Sequence, residues 1–263
     1  MTSAAAAGLL GREAGTCPPA REVELFGVPL HPLTMAETVD RIEELVASGG
    51  AHQHVVLNAA KVVQVQDDPE LRDIIRSCSL VNADGQSVVW AARLQGLDVP
   101  ERVAGIDLMD QVLARAAERG WPVYFLGARD DVVRRVTELE TQRHQGLVVA
   151  GWRNGYWTQE EEAAVVADVA ASGAAVLFVA MPTPAKEHFL ARHLDTLGVR
   201  FAMGVGGSFD VVAGVTRRAP RWMQRLGLEW CYRLLQEPRR MFRRYLVGNS
   251  KFIALASLAL VRR

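Results

Sequence analysis

AAVLFVA, residues 174–180, is a continuous apolar run of strand length that contains β-branched and aromatic side chains. The polar loop MPTPAKE, residues 181–187, follows it directly. An uninterrupted apolar run of this length is typical of a strand that is buried on both faces of a sheet. This one stretch therefore predicts a central strand, with a loop at its carboxyl end.

Five more runs of the same kind are spaced along the chain, and helix-length amphipathic segments separate them. They are HVVLN (54–58), SLVN (79–82), PVYFLG (122–127), GLVVAG (146–151) and RFAMGVGG (200–207). Alternating strands and helices favour parallel pairing, because each crossover helix covers one face of the sheet. The sequence predicts an α/β fold with a Rossmann-like, mainly parallel sheet and helices on both faces.

The two ends of the chain do not follow this alternation. Residues 1–22 predict a disordered leader without a secretory signal, and VELFGVPLHPLTM (23–35) predicts a small hairpin at the sheet edge. After Gly214 the strands stop, and three short helices are expected, broken near Gly227 and Pro238. We therefore expect an α/β core over residues 23–215 and a basic, amphipathic helical appendage over residues 216–263.

Charge is distributed very unevenly between these parts. Residues 217–263 hold twelve Lys and Arg against two Glu, a net charge of +10, so the remainder carries −10. Such a segment predicts an anionic partner, although ion pairing between tail and body is an alternative. Aromatic residues interleave with the arginines, as at a membrane surface, whereas no RNA-recognition motif accompanies them. Phe252–Val261 is too short to span a bilayer.

Cysteines and histidines give no sign of a metal or redox centre. Cys17, Cys78 and Cys231 are odd in number and widely spaced, which indicates a reducing cytosol rather than a disulfide framework. None of the six histidines has the spacing of a metal-ligand motif. We expect no cofactor and no metal.

In open α/β sheets, ligands bind beyond the carboxyl ends of the strands. Asp84 follows the second long run, in VNADGQSVVWAARLQG, where it is either a general base or the N-cap of the next helix. GVGGSFD (204–210) is a weak phosphate-loop candidate, because it matches neither standard glycine motif. No acidic pair that would chelate a metal–diphosphate follows a strand.

Several longer motifs resemble the WecG/TagA/CpsF family of bacterial glycosyltransferases. They are VNADGQSVVWAARLQG, ERVAGIDLMDQVL, VYFLGA, NGYW, PAKE and GVGGSFDVVAGVTRRAPRWMQRLGLEWCYRLLQEPRRMFRRY. The resemblance runs from Val23 to Phe252. It implies inverting, metal-independent transfer of a sugar from a nucleotide-diphosphate donor to a polyprenyl-diphosphate-linked sugar. It also implies an anionic membrane surface at the inner face of the plasma membrane as a partner, and no nucleic acid.

The resemblance also assigns roles to individual positions. It implies Asp84 as general base, Asn58 as a pocket asparagine that helps hold the acceptor or the reactive centre, a donor pocket, and arginines that grip the acceptor diphosphate. The donor set is Gly127, Gly155, Tyr156, Lys186, Gly206 and Asp210, and the acceptor set is Arg233, Arg240 and Arg243. Lys186 replaces a glutamine found in many members and brings charge suited to a donor phosphate or a carboxylated sugar.

Two other functions and the oligomeric state stay open at this point. A nucleotide-dependent oxidoreductase would share the fold but lacks the G-x-G-x-x-G fingerprint. A membrane or RNA adaptor without enzymatic activity would use the basic tail alone. Neither donor sugar nor acceptor is identified, and a homo-oligomer is one alternative.

The absence of a metal–diphosphate motif generates a first prediction. Sugar transfer is expected to continue at an unchanged rate in excess EDTA, because protein groups must neutralise the leaving diphosphate. A transfer assay with and without chelator checks this. Loss of activity with EDTA and its rescue by Mg²⁺ or Mn²⁺ would contradict it.

Overall fold

The computed structural model describes residues 21–236 and 238–261, with the side chains of all of these except 225, 233, 238–247, 260 and 261. The expected disordered leader, residues 1–22, lies outside this range apart from its last two residues. A hairpin comes first, made of β1 (Val23–Leu25) and β2 (Val28–Leu30). It confirms the expected position of a hairpin near the start of the core.

Six parallel strands form the main sheet. They are β3 (His52–Leu57), β4 (Leu80–Ala83), β5 (Val123–Gly127), β6 (Val149–Arg153), β7 (Val176–Ala180) and β8 (Phe201–Gly204). Their order across the sheet is β4-β3-β8-β7-β5-β6. All six predicted strands are present. β6 begins three residues later than GLVVAG predicts, because Gly146 takes a positive φ and the Leu147 N–H bonds to His144 in a turn.

Twelve helices are found in the described residues. They are α1 (Met35–Ser48), α2 (Ala59–Asp67), α3 (Pro69–Ser77), α4 (Gln86–Leu94), α5 (Gly105–Arg119), α6 (Asp130–Arg143), α7 (Glu162–Ala171), α8 (Ala185–His193), α9 (Ser208–Val212), α10 (Arg221–Arg225), α11 (Glu229–Gln236) and α12 (Pro238–Val261). The start of α1 is a capping box, in which the Thr34 hydroxyl and the Glu37 carboxylate each satisfy a backbone N–H of the other residue.

Side chains alternate between the two faces of the sheet, and each face has its own core. Phe125, Phe178 and Phe201 pack on one face against α1, α5 and α6. On the other face, Tyr124 and the residues around it pack against α7 and α8. A third cluster joins β3, β4, the hairpin and α2 to α4. Burial on both faces explains why the strands are uninterrupted apolar runs.

The hairpin is anchored to the edge strand β4 through His31. The His31 N–H donates to the Val81 carbonyl at 2.8 Å, and the Val81 N–H donates to His31 Nδ1 at 3.0 Å. Burial lowers the pKa of His31, although the charge of Glu22 opposes this shift. The neutral ring can therefore accept the Val81 hydrogen bond. The hairpin covers an edge that would otherwise present unpaired backbone groups.

The C-terminal segment forms three helices with breaks near Gly227 and Pro238, as expected, but the third helix is not short. Its third helix, α12, runs for 24 residues, because Gly248 and Asn249 do not interrupt it. Phe252 is buried in the cluster around the hairpin, with its ring 5.8 Å from that of Phe26. Lys251 Nζ lies 2.9 Å from Asp67 Oδ2. Part of the apolar run Phe252–Val261 therefore packs into the protein.

The tail also pairs with the body through arginine. Arg218 makes two hydrogen bonds to Asp107, at 2.5 and 2.6 Å, and Arg102 contacts Glu229 at 2.6 Å. The division at residue 215 remains a proposal, and the two parts share these contacts.

Within residues 21–236 and 238–261, we find no helix that is both long and apolar enough to cross a membrane.

Phe252 gives a direct test of this docking. Phe252→Ala is expected to lower the free energy of unfolding by about 3 kcal/mol, because it leaves a cavity beside Phe26. The neighbouring Ile253 is exposed, so Ile253→Ala should change it by less than about 0.5 kcal/mol. Urea unfolding of both variants measures the difference. Equal effects would show that α12 is not docked as described.

Candidate functional site

The predicted site residues lie along one edge of the sheet. Asp84 follows β4 and Asn58 follows β3. Gly204 ends β8, Gly127 ends β5, and residues 181–187 follow β7. The Asn154–Trp157 segment follows β6. Six strands spaced about 4.8 Å apart place these loops along an edge of roughly 24 Å. The strand order therefore brings the proposed base and the proposed donor loops to the same edge.

Asp84 is held by the backbone of two neighbours. Its N–H donates to the Leu57 carbonyl at 2.8 Å, and its Oδ1 accepts from the Gly105 N–H at 3.1 Å. Gly85, not Asp84, is the N-cap of α4. The alternative that Asp84 merely caps the next helix is wrong. Its carboxylate instead faces the first residue of α5, which fixes its position at the strand end.

Asn58 lies directly beside this turn. It is the N-cap of α2, and its Oδ1 accepts from the Lys61 N–H at 3.0 Å. A Cβ on Gly85 would be 3.5 Å from the Asn58 Cα, so the Asp84–Gly85 turn packs against it. The cap uses the amide oxygen and leaves the NH₂ group for other partners. Asp84 and Asn58 are thus adjacent at the ends of neighbouring strands.

Lys186 belongs to a buried group of three charges. Lys61 Nζ and Lys186 Nζ lie 2.8 and 2.9 Å from the same oxygen, Oε1 of Glu187. The Thr183 hydroxyl donates to that oxygen at 3.2 Å, and Lys186 also contacts Thr183. Lys61, Lys186 and Glu187 are all buried. Two ammonium groups around one carboxylate make this triad a source of positive potential.

The triad explains the acidity of its carboxylate. Burial alone would raise the pKa of Glu187, but Lys61 and Lys186 outweigh it and lower the pKa to about 2. The sequence indicated neither Lys61 nor Glu187 as site residues. Lys61 lies in the first turn of an ordinary amphipathic helix, α2, which follows β3. Its partner Glu187 follows β7, and the two strands are separated in the sheet only by β8.

The glycines of the loop that begins at the end of β8, Gly204, Gly206 and Gly207, have two different environments. A Cβ on Gly204 would lie 3.0 Å from the Lys186 stem, so this glycine makes room for the lysine. At Gly206, whose φ is +54°, and at Gly207, a Cβ would meet nothing within 4 Å. The backbone there is open to a ligand. Asp210 lies two residues into α9, and its carbonyl accepts from the Thr216 N–H at 3.0 Å.

Gly127 and Gly155 have a packing reason to be glycine. A Cβ on Gly127 would be 2.4 Å from the Ala180 oxygen, and one on Gly155 would be 2.9 Å from the Gly127 Cα. The close approach joins the ends of β5, β6 and β7. The next residue, Tyr156, is exposed. The glycines thus place a free aromatic ring at the carboxyl edge.

A cavity of about 420 Å³ lies where the body meets the tail. It is lined by Gln86, Arg102, Asp107, Arg218, Arg221 and Gln224. Gln86 begins α4, two residues after Asp84, and Asp107 follows the Gly105 that bonds Asp84. Three arginines and one aspartate line this cavity, and Glu229 also pairs with Arg102 and Arg218, so the group keeps one net positive charge. The sequence did not indicate this cavity, although Asp107 lies in the quoted motif ERVAGIDLMDQVL and Arg218 lies in the long motif that begins GVGGSFD.

The proposed acceptor arginines cannot be placed relative to this cavity. Arg233 is on α11, and Arg240 and Arg243 are on α12, but their side chains lie outside the described residues. Their role therefore stays a prediction.

One cluster could offer three metal-ligand atoms. Asp110, Glu140 and His144 come within 4.8 Å of one another. Arg143 Nη1 lies 3.1 Å from Glu140 and 3.4 Å from Asp110, and His144 Nε2 lies 3.2 and 3.3 Å from the same two carboxylates. Burial raises the pKa of Glu140, against the effect of Arg143. An ion network that joins α5 to α6 accounts for this cluster.

Comparison with known proteins identifies the chain at the level of family. The model of the Glycosyl transferase WecG/TagA/CpsF family matches residues 23–263. The chain belongs to this family. Its members are glycosyltransferases of cell-surface polysaccharide synthesis, which in general use a nucleotide-sugar donor and a lipid-linked acceptor. A WecG/TagA/CpsF glycosyltransferase is an enzyme, so the oxidoreductase and adaptor alternatives are set aside.

The buried triad predicts a pH effect on stability. A carboxyl whose pKa falls from 4.5 to about 2 on folding stabilises the fold at any pH above 4.5. That contribution, about 3 kcal/mol, is lost as the pH falls through 2. Glu187→Gln should therefore lower the free energy of unfolding at pH 7, and the difference from wild type should shrink between pH 4.5 and 2.

Urea unfolding over pH 3–7 measures this difference. Glu138→Gln is the control, because Glu138 is an exposed glutamate on α6, and its effect should stay within about 0.5 kcal/mol. A Glu187→Gln curve parallel to wild type over the whole range would show that the triad is not charged as described.

Proposed function

We propose that this chain transfers a sugar, with inversion and without a metal, from a nucleotide-diphosphate donor to a polyprenyl-diphosphate-linked sugar. The transferred sugar would be N-acetylmannosamine-like, or another hexose or uronic acid. The observation that carries the proposal is the placement of Asp84 and Asn58 at the same sheet edge as the open glycine backbone and the basic cavity.

Asp84 is the proposed general base. In a single displacement, a carboxylate takes the proton of the acceptor hydroxyl as that oxygen attacks the anomeric carbon. The hydrogen bond from Gly105 holds Oδ1 and so limits rotation of the carboxylate. Asn58, beside it, would orient the acceptor sugar through its amide. The new bond forms on the face opposite the leaving diphosphate, which inverts the anomeric centre.

The leaving diphosphate would be stabilised on the neighbouring strands. Lys186 and Lys61 supply positive potential from within the protein, and the backbone at Gly206 and Gly207 is open to phosphate oxygens. Tyr156 offers an exposed ring on which a nucleobase would stack. These groups need no metal to neutralise the charge that develops.

The acceptor would approach from the tail. Arg233, Arg240 and Arg243 remain the proposed grip on its diphosphate, and the basic cavity lined by Arg218 and Arg221 supports an anion site at this junction. A lipid-linked acceptor is held in a membrane, so we propose a peripheral position on the inner face of the plasma membrane. The net charge of +10 over residues 217–263 favours an anionic surface there.

Asp84→Asn tests the base assignment. Turnover is expected to fall about 10²–10⁴-fold, because an amide cannot take the proton, while its oxygen can still accept from Gly105. Thermal stabilisation by a panel of nucleotide sugars identifies the donor and shows whether the variant still binds it. Asp73→Asn, an exposed change on α3, is the control. Unchanged turnover in Asp84→Asn would refute the assignment.

A further inference from the structure

An exposed apolar surface joins the core to the tail. Two of its residues, Trp90 and Leu94, lie on α4, and three, Trp222, Leu226 and Trp230, lie on α10, the following turn and α11. Their exposed fractions are 50, 59, 59, 56 and 39 %. We call these five side chains the junction face.

The two α4 residues of the junction face do not belong to the core. Val88, Val89, Ala91 and Ala92 bury the inner side of α4. Trp90 and Leu94 are four residues apart, so they are neighbours on its outer side. A helix of a water-exposed protein surface normally presents polar residues there. This outer side instead presents two large apolar side chains.

Close packing makes the junction face continuous between core and tail. Gly227 lies in the turn between α10 and α11 and has a φ of +67°. A Cβ at this position would be 3.6 Å from the Trp90 ring and 2.8 Å from Gln86. The turn therefore rests directly on α4. Trp222 precedes Leu226 by one helical turn, and its carbonyl accepts from the Leu226 N–H at 3.1 Å.

We propose that the junction face, including Trp90 and Leu94 of the catalytic core, lies in the interfacial layer of an anionic membrane. This inference rests on the proposed function, in which the acceptor is lipid-linked. Tryptophan is favoured at the interface because its ring is apolar and its N–H is polar. Arg217 and Arg221, both exposed, come shortly before Trp222 in the chain and suit anionic headgroups.

Charge argues for a bilayer rather than a second copy of this chain as the occupant. The tail that carries three of the five side chains has a net charge of +10. A symmetric dimer through the same face would bring two such tails together, which costs electrostatic free energy. An anionic leaflet gains from the same charge, and its acyl region accepts the tryptophan and leucine side chains.

This placement also gives the acceptor a short route. Gln86 contacts the Gly227 turn and lines the basic cavity at the junction. The cavity therefore opens next to the surface proposed to face the membrane. Its lining residue Gln86 is two residues after Asp84 in the chain. A prenyl diphosphate would reach the arginines while its lipid chain stays in the bilayer.

Vesicle co-sedimentation of the full chain tests the proposal, with vesicles of phosphatidylcholine and phosphatidylglycerol. The double variant Trp90→Ser/Leu94→Ser is expected to lower the partition coefficient about ten- to a hundredfold, because two apolar side chains leave the interface. Circular dichroism checks that the fold is kept. Because Trp90 packs near the Gly227 turn, the single variant Leu94→Ser, which spares that contact, is measured as well and should lower partitioning in the same direction. Val148→Ser, an exposed apolar residue next to β6, is the matched control and should not change partitioning.

Ionic strength separates core insertion from the charge of the tail. Wild-type binding should weaken with salt, but the ratio between wild type and the double variant should stay constant, because apolar burial is not screened. A double variant that binds as well as wild type would overturn the inference. So would a variant that changes the oligomeric state in size-exclusion chromatography without changing vesicle binding. A wild-type chain that binds no vesicle would instead refute the membrane part of the proposed function.

Discussion

The fold depends on the pairing of β8 with two partners. The last strand of the sheet lies between β3 and β7, with Phe201 opposite both His52 and Val176. Without it, the described sheet would be two separate pieces, β4-β3 and β7-β5-β6. The first piece carries the proposed base and the second carries the loops proposed to hold the nucleotide. Backbone hydrogen bonds of one short strand therefore assemble the site.

The buried charges of the candidate site also come from both pieces of the sheet. Lys61 follows β3, Lys186 and Glu187 follow β7, and Gly204 of β8 leaves the space in which the Lys186 stem lies. Burying three charges is costly unless each has a partner. The triad has its partners only when β8 is in place, so electrostatics and strand order support the same arrangement. Positive potential at the end of the central strand follows from this packing.

Local patterns predicted the elements well, and long-range contacts much less well. The apolar runs located all six strands, and the strand ends they predicted place Asp84 and Asn58 after neighbouring strands, as the structure has them. The periodicity of apolar residues along the chain does not give the order of the strands in the sheet. The pairing of Lys61 with Glu187 therefore could not be predicted. Nor could the burial of Phe252, because an apolar residue near arginines fits a membrane surface as well as a protein core.

The docking of Phe252 beside Phe26 has a consequence for biosynthesis. The hairpin leaves the ribosome long before Phe252, the residue that packs against its Phe26. Domains of many proteins begin to fold from the N-terminus during translation. Here the hairpin keeps an exposed aromatic surface until Phe252 has been synthesised. A chain that terminates before residue 252 would keep this apolar surface exposed, and chaperones and proteases recognise such surfaces.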